Sequence, residues 1–157
     1  MEKKTTTKKK TTSKASKATK LKATQSVGKY FYAIGRRKSA VATVRLFEGT
    51  DSSEINGNSI IKGAKQLSSS EIFFINEPLR VASKDASMYF TAKVIGGGVS
   101  SQLAAIRLGV ARALLKFDNT LKKSLKQADL IKRDPREVER KKVGLKKARK
   151  GPQFSKR

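Results

Sequence analysis

Three clusters in this chain could do chemistry, and in each the chemistry is anion binding. Gly35-Arg36-Arg37-Lys38 sets three cations in a row between two apolar runs. Held at a strand end they form a phosphate clamp, with arginine offering a two-pronged donor. Three adjacent cations in an ordered hairpin repel one another, which favours a polyanionic partner over a plain solvated turn. Gly96-Gly97-Gly98 stands between a strand-like run and a helical one. Glycines let backbone amides approach an anion, and a helix N-terminus favours negative charge. The residues that follow, Val99-Ser100-Ser101-Gln102, contain no Lys, so GxxxxGK[ST] is missing, and GxGxxG is missing too. A nucleic-acid phosphate site and a tight turn account for these glycines equally well. The third cluster is the C-terminal run from Lys141 to Arg157, dense in Lys and Arg, with Phe154 placed to stack on a base.

Catalytic and metal chemistry find little support. The 157 residues include no His and no Cys. That removes the commonest general base, the thiolate nucleophile and the usual zinc ligands. Ser39, Ser100 and Ser101 have turn or capping roles available, and no spacing pairs them with a Lys. We therefore expect no enzyme, no metal, no cofactor and no small-molecule substrate. No apolar run approaches the roughly 18–20 residues of a membrane span, so a soluble intracellular protein without a membrane partner is expected.

The charge shows where a fold can form. Lys and Arg number 37 against 12 Asp and Glu, for a net charge of +25. Such a charge points to a polyanion, because neutralising phosphates releases condensed counterions. Residues 1–29 carry ten Lys and one acid, and residues 132–157 carry twelve basic and three acidic residues. The middle, 30–131, is far less biased, with fifteen basic and eight acidic residues. Residues 1–27 are Lys, Thr, Ser and Ala with almost no large apolar side chain, so they should not fold alone. A nucleic-acid arm, a tolerated extension and a transit peptide all fit them, although the lack of Arg speaks against a mitochondrial presequence. The expected organisation is a disordered extension over 1–27, a globular α+β domain over 28–131, and a short helix with an extended tail over 132–157. From residue 144 onward that tail could reach roughly 45–50 Å.

Within the middle, Tyr30–Ile34 and Val41–Phe47 are strand candidates, with residues 35–39 as their connection. Asn56-Gly57 supplies a tight hairpin turn. Ser69 or Ser70 could cap a short helix that Pro78 would interrupt. Met88–Ile95 is a further strand. After the glycines, Leu103, Ile106, Val110, Ala113, Leu114 and Phe117 share one helical face, with Arg107 beside it and Arg112 and Lys116 opposite. A second helix follows Asp118, and Asp134-Pro135-Arg136-Glu137 reads as the start of a third that ends by Gly144.

Several motifs in order carry a family resemblance over about residues 30–157. They are Gly35-Arg36-Arg37-Lys38-Ser39-Ala40-Val41-Ala42, Ile55-Asn56-Gly57, and Gly96-Gly97-Gly98 with Gln102 and Ala105–Leu114. Arg133-Asp134-Pro135-Arg136, Glu139–Gly144 and the terminal Pro152–Arg157 complete the set. The chain resembles the ninth small-subunit ribosomal proteins of bacterial and organellar type. The resemblance implies a single α+β domain with a βαβ-type core, like the second domain of the fifth small-subunit protein. It implies a structural role in the small subunit: binding rRNA of the head (the 3′ major domain), beside neighbouring head proteins, and touching P-site tRNA through the tail. By position, Lys156 and Arg157 inherit the tRNA contact. Arg36, Arg37, Lys38, Arg107, Arg112, Arg136, Arg140, Lys141, Lys142, Lys146, Lys147, Arg149, Lys150, Gln153 and Phe154 inherit rRNA contacts. The ribosome implied is cytoplasmic, or organellar if 1–27 is a transit peptide. Ser101, Leu103 and Gly151 depart from the family pattern, which usually has Gly, a smaller residue and often a basic one there. A stand-alone RNA chaperone or histone-like condensing protein is the competing class, since the basic ends alone would permit it.

Overall fold

Alternation of small or apolar residues with polar ones builds a sheet that buries one face. The computed structural model describes residues 29–60 and 67–156, so the expectation for residues 1–27 lies outside the described residues. Strands β1 (Tyr30–Arg37) and β2 (Ala40–Glu48) pair antiparallel. The hairpin β3 (Glu54–Ile55) and β4 (Asn58–Ser59) follows. Helix α1 (Ser69–Val81) leads to strand β5 (Met88–Ile95) and then to the long helix α2 (Val99–Phe117). One 3₁₀ turn (Asn119–Leu121) runs into the short helix α3 (Lys122–Gln127). The sheet order is β1-β2-β5-β3-β4. β3 and β5 are parallel neighbours linked through α1, which is the βαβ element within an otherwise antiparallel sheet.

The buried face of the sheet is Ala40, Ala42, Val44 and Leu46 from β2 with Met88, Phe90, Ala92 and Val94 from β5. Against it packs α2, whose Leu103, Ile106, Val110, Ala113 and Leu114 are all buried as their spacing predicts. Phe117 meets Phe31 edge-on at a centroid distance of 5.3 Å. No polar or charged residue is buried among the described residues. The closest approach of sheet and helix is glycine on glycine. A Cβ on Gly35 would stand 1.9 Å from the Ala105 carbonyl oxygen, and one on Gly109 2.5 Å from Val44 Cγ2. No helix among the described residues is long and apolar enough to cross a membrane.

Five expectations differ from the structure. The first strand does not stop at Ile34: it runs through Arg37, and only Lys38-Ser39 make the turn. Pro78 does not interrupt α1. It sits inside the helix, fully buried, so its missing N–H is offset by packing of the ring in the core. The helix is capped by neither Ser69 nor Ser70 but by Ser68, whose N–H donates to the Glu71 carboxylate at 2.9 Å.

The third helix and its Asp134 start are absent among the described residues. Asp134 does accept from the Arg136 N–H at 2.9 Å, as a cap would. The helix fails because Arg37 donates to the Asp134 carbonyl at 3.3 Å and to the Arg136 carbonyl. Those are acceptors that a first helical turn needs for itself. Glu137 is drawn to Arg133 at 3.0 Å and does not close a capping box.

Last, Arg112 and Lys116 do not point away from the sheet. β1 is an edge strand with free carbonyls along its outer side. Arg112 donates to the Ile34 carbonyl at 3.1 Å and Lys116 Nζ to the Tyr32 carbonyl at 2.7 Å. The match is geometric. Four helical residues rise about 6 Å, and two strand residues span about 6.6 Å. One pair of cations at i, i+4 therefore covers alternate edge carbonyls.

Candidate nucleic-acid interface

The β1–β2 turn and the glycine loop lie side by side. A Cβ on Gly96 would stand 2.7 Å from the Ser39 carbonyl oxygen, and one on Gly97 2.8 Å from the Ala40 Cβ. Both glycines also take positive φ, 73° and 67°, a region costly for any side chain. Gln102 closes the loop by donating to the Gly96 carbonyl at 3.0 Å. Close packing on the hairpin thus accounts for the two glycines as a tight turn. The arrangement also sets the N-terminal end of α2 beside Arg36-Arg37-Lys38.

The three hairpin cations have different surroundings. Arg36 and Lys38 are exposed, and neither has an acidic partner among the described residues. Arg37 is only 18% exposed and reaches the start of the tail. It holds two tail carbonyls and pairs with the Asp134 carboxylate at 3.1 Å. The same carboxylate receives the Arg136 guanidinium at 3.0 and 2.8 Å. These hydrogen bonds from Arg136, with Arg37 beside them, hold the Asp134 carboxyl well below the usual carboxylate range and raise Arg136 further. Asp134 was expected to cap a helix, not to anchor the tail. Its signal was the Asp-Pro-Arg run, which looked like a helix cap.

Beyond this root the tail is mostly exposed. Glu139 bridges Lys142 and Arg149, each at 2.8 Å, and these bonds lower its carboxyl below the ordinary value. The Lys146 N–H donates to the Lys150 carbonyl at 2.7 Å, which turns the chain back on itself. Lys141, Lys146, Lys147, Lys150 and Lys156 carry no acidic partner among the described residues. Arg140 touches only the neighbouring Lys141 carbonyl at 3.3 Å. Gln153 and Phe154 are exposed, Phe154 to 89%. Arg157 lies outside the described residues.

Besides Arg37, Arg136, Lys142 and Arg149, two more expected contacts are committed within the protein. Arg112 caps the β1 edge. Arg107 pairs with Glu77 and lies 4.5 Å from the Phe74 ring centroid, although its Nε, buried, has no hydrogen-bond partner. It lines a cavity with Arg36 and Arg37 from β1 and with Lys132, Arg133 and Arg136 from the tail root. Lys132 and Arg133 were not among the expected contacts.

A single small domain has gathered cations on one hairpin, at the tail root beside it and along the tail, the build of a protein that holds nucleic acid. Residues 35–157 match the family described as ribosomal protein S9/S16. The chain is 47% identical over 135 residues to small ribosomal subunit protein uS9 of Thermotoga neapolitana, covering 81% of this chain and 96% of that protein. It is 50% identical over 125 residues to small ribosomal subunit protein uS9c of Tupiella akineta, covering 78% of this chain and 86% of that one. The uS9 of Thermotoga maritima is similar to it at 46% over 135 residues. The chain belongs to the ribosomal protein S9 family. It is a structural component of the small ribosomal subunit and not an enzyme.

Proposed function

We propose that this protein binds rRNA in the head of the small subunit and contacts P-site tRNA through the end of its tail. The body, residues 28–131, docks through the hairpin cations. The tail, residues 132–157, folds against RNA as it binds. The carrying observation is the Arg37–Asp134 root. It fixes where the tail leaves the body, and past it Lys141, Lys146, Lys147, Lys150 and Lys156 are free of acidic partners among the described residues. At the tRNA, Lys156 and Arg157 meet backbone phosphates. Such contacts carry no sequence information, which suits a site that accepts every tRNA. Arg36, Lys38 and the tail cations from Arg140 onward carry the rRNA contacts, with Gln153 and Phe154 against the RNA near the end. Neighbouring head proteins flank the body. Residues 1–27 act as a further cationic arm on the cytoplasmic ribosome. N-terminal sequencing of the mature protein decides whether they are instead a transit peptide removed in an organelle.

Binding of the full chain to 3′ major domain rRNA across a salt series tests the rRNA contact. The affinity should fall with a log–log slope of about −0.7 to −0.9 per phosphate neutralised. A chain ending at residue 139 should lose much of that slope. A flat salt response, or an unchanged slope on truncation, contradicts the reading.

A further inference from the structure

We propose that the cavity between the end of β1, α1, the middle of α2 and the segment after α3 receives one unpaired nucleotide of RNA. Its base lies inside and its phosphate on the rim. This site rests on the rRNA-binding reading and adds to it a pocket with its own chemistry. The cavity has a volume of about 550 Å³. That lies within the roughly 300–1,000 Å³ usual for small-molecule sites, which suits a base with its sugar and excludes a duplex.

Its inner wall is apolar, from Phe74, Ala104, Leu108 and Leu130. A wall made only for a backbone phosphate would not need these groups, whereas a base buries its faces against them. The rest of the lining is cationic. Six basic side chains face two acidic ones, Asp129 and Asp134. Asp134 is shared between Arg37 and Arg136. Neither Arg36 nor Lys132 has an acidic partner among the described residues, so both are available to a phosphate.

Arg107 supplies the third observation. Its guanidinium lies over the Phe74 ring, its terminal nitrogen pairs with Glu77, and its buried Nε is left without an acceptor. That Nε is sealed from the cavity, and what Arg107 offers a ligand is the positive charge of a guanidinium fixed in the wall by Phe74 and Glu77.

The test compares binding of the full chain to an RNA hexamer and to an all-abasic hexamer of equal charge. The base-bearing hexamer should bind at least fivefold tighter. Ala104→Trp, which fills the cavity from its partly exposed wall, should remove most of that preference. Phe154→Ala should keep most of it. A thermal melt shows whether Ala104→Trp has folded. Independently of that variant, photocrosslinks from a 4-thiouridine hexamer to the wild-type chain should map to peptides containing Phe74, Leu108 or Lys132. Equal affinity for the two hexamers, or crosslinks confined to residues 141–157, overturns the pocket and leaves the rRNA reading standing. No binding of either hexamer at low salt overturns both.

Discussion

Arg37 and Asp134, 97 residues apart in sequence, join the end of the first strand to the root of the C-terminal tail. One guanidinium holds two backbone carbonyls and one carboxylate, so the tail leaves the domain at a fixed place. Arg37 is then a positioning residue. In Arg37→Ala the tail should swing more widely with the body unchanged. The chain has no Cys, so Ser83→Cys with Ser155→Cys gives a unique pair for distance measurement by spin labels. Arg37→Ala should broaden the distribution, Arg37→Lys should restore it in part, and Arg36→Ala should leave it alone. Superimposable distributions for Arg37→Ala and its parent would sink this account of the root.

The root also sets a pH dependence. The Asp134 carboxyl is held below its ordinary 3.8 by hydrogen bonds from Arg136 and by the charge of Arg37. A lowered value in the folded state contributes order that is fully present above the ordinary value. That order is lost as pH falls through the lowered one. The labelled pair should therefore give the same distribution from neutral pH down to about 4, and broaden only in stronger acid. Asp134→Asn should be broad already at neutral pH. Broadening of the parent between pH 7 and 5 would contradict the assignment.

Arg112 and Lys116 cover the outer carbonyls of β1. Removing them exposes an edge strand ready to pair with another chain. The double change Arg112→Ala with Lys116→Ala should lower stability, each lost bond to a charged donor being worth about 1.5–3 kcal/mol at most. It should also raise aggregation in light scattering at low salt. A double variant as stable and monodisperse as its parent would show that the edge needs no cover.

Gly35 is a test of packing alone. A methyl group there would stand 1.9 Å from the Ala105 carbonyl oxygen, far inside van der Waals contact, so β1 and α2 must separate. Gly35→Ala should cost at least about 1–3 kcal/mol in denaturant unfolding, although Ala is the better strand residue. An unchanged midpoint would mean that the helix yields more easily than a packed interior should.

Much of this fold can be read from single residues. Met88–Ile95 has the same limits by pattern and in the structure, because alternation in a central strand is enforced on both sides. The α2 stripe is legible for the same reason: its apolar spacing has one solution. Asn56 and Gly57, at φ 52° and 78°, make the expected hairpin turn. What the pattern hides is tertiary. Nothing near Pro78 says that the core will receive its ring. Nothing near Asp134 says that an arginine 97 residues away will take its carbonyl. Arg112 looks like a surface cation until β1 is known to be an edge. The cationic turn and tail were visible as charge, but the division of those cations into anchors and free donors depends on contacts far apart in the chain.

The central claim is that the end of the tail holds tRNA. Small subunits reconstituted with a chain lacking residues 155–157 test it most directly, through filter binding of tRNA to the P site on a programmed message. Assembly should proceed normally, and tRNA should bind several-fold more weakly and dissociate faster than from subunits with the full tail. Equal affinity and equal dissociation rates in the two kinds of subunit would contradict the claim.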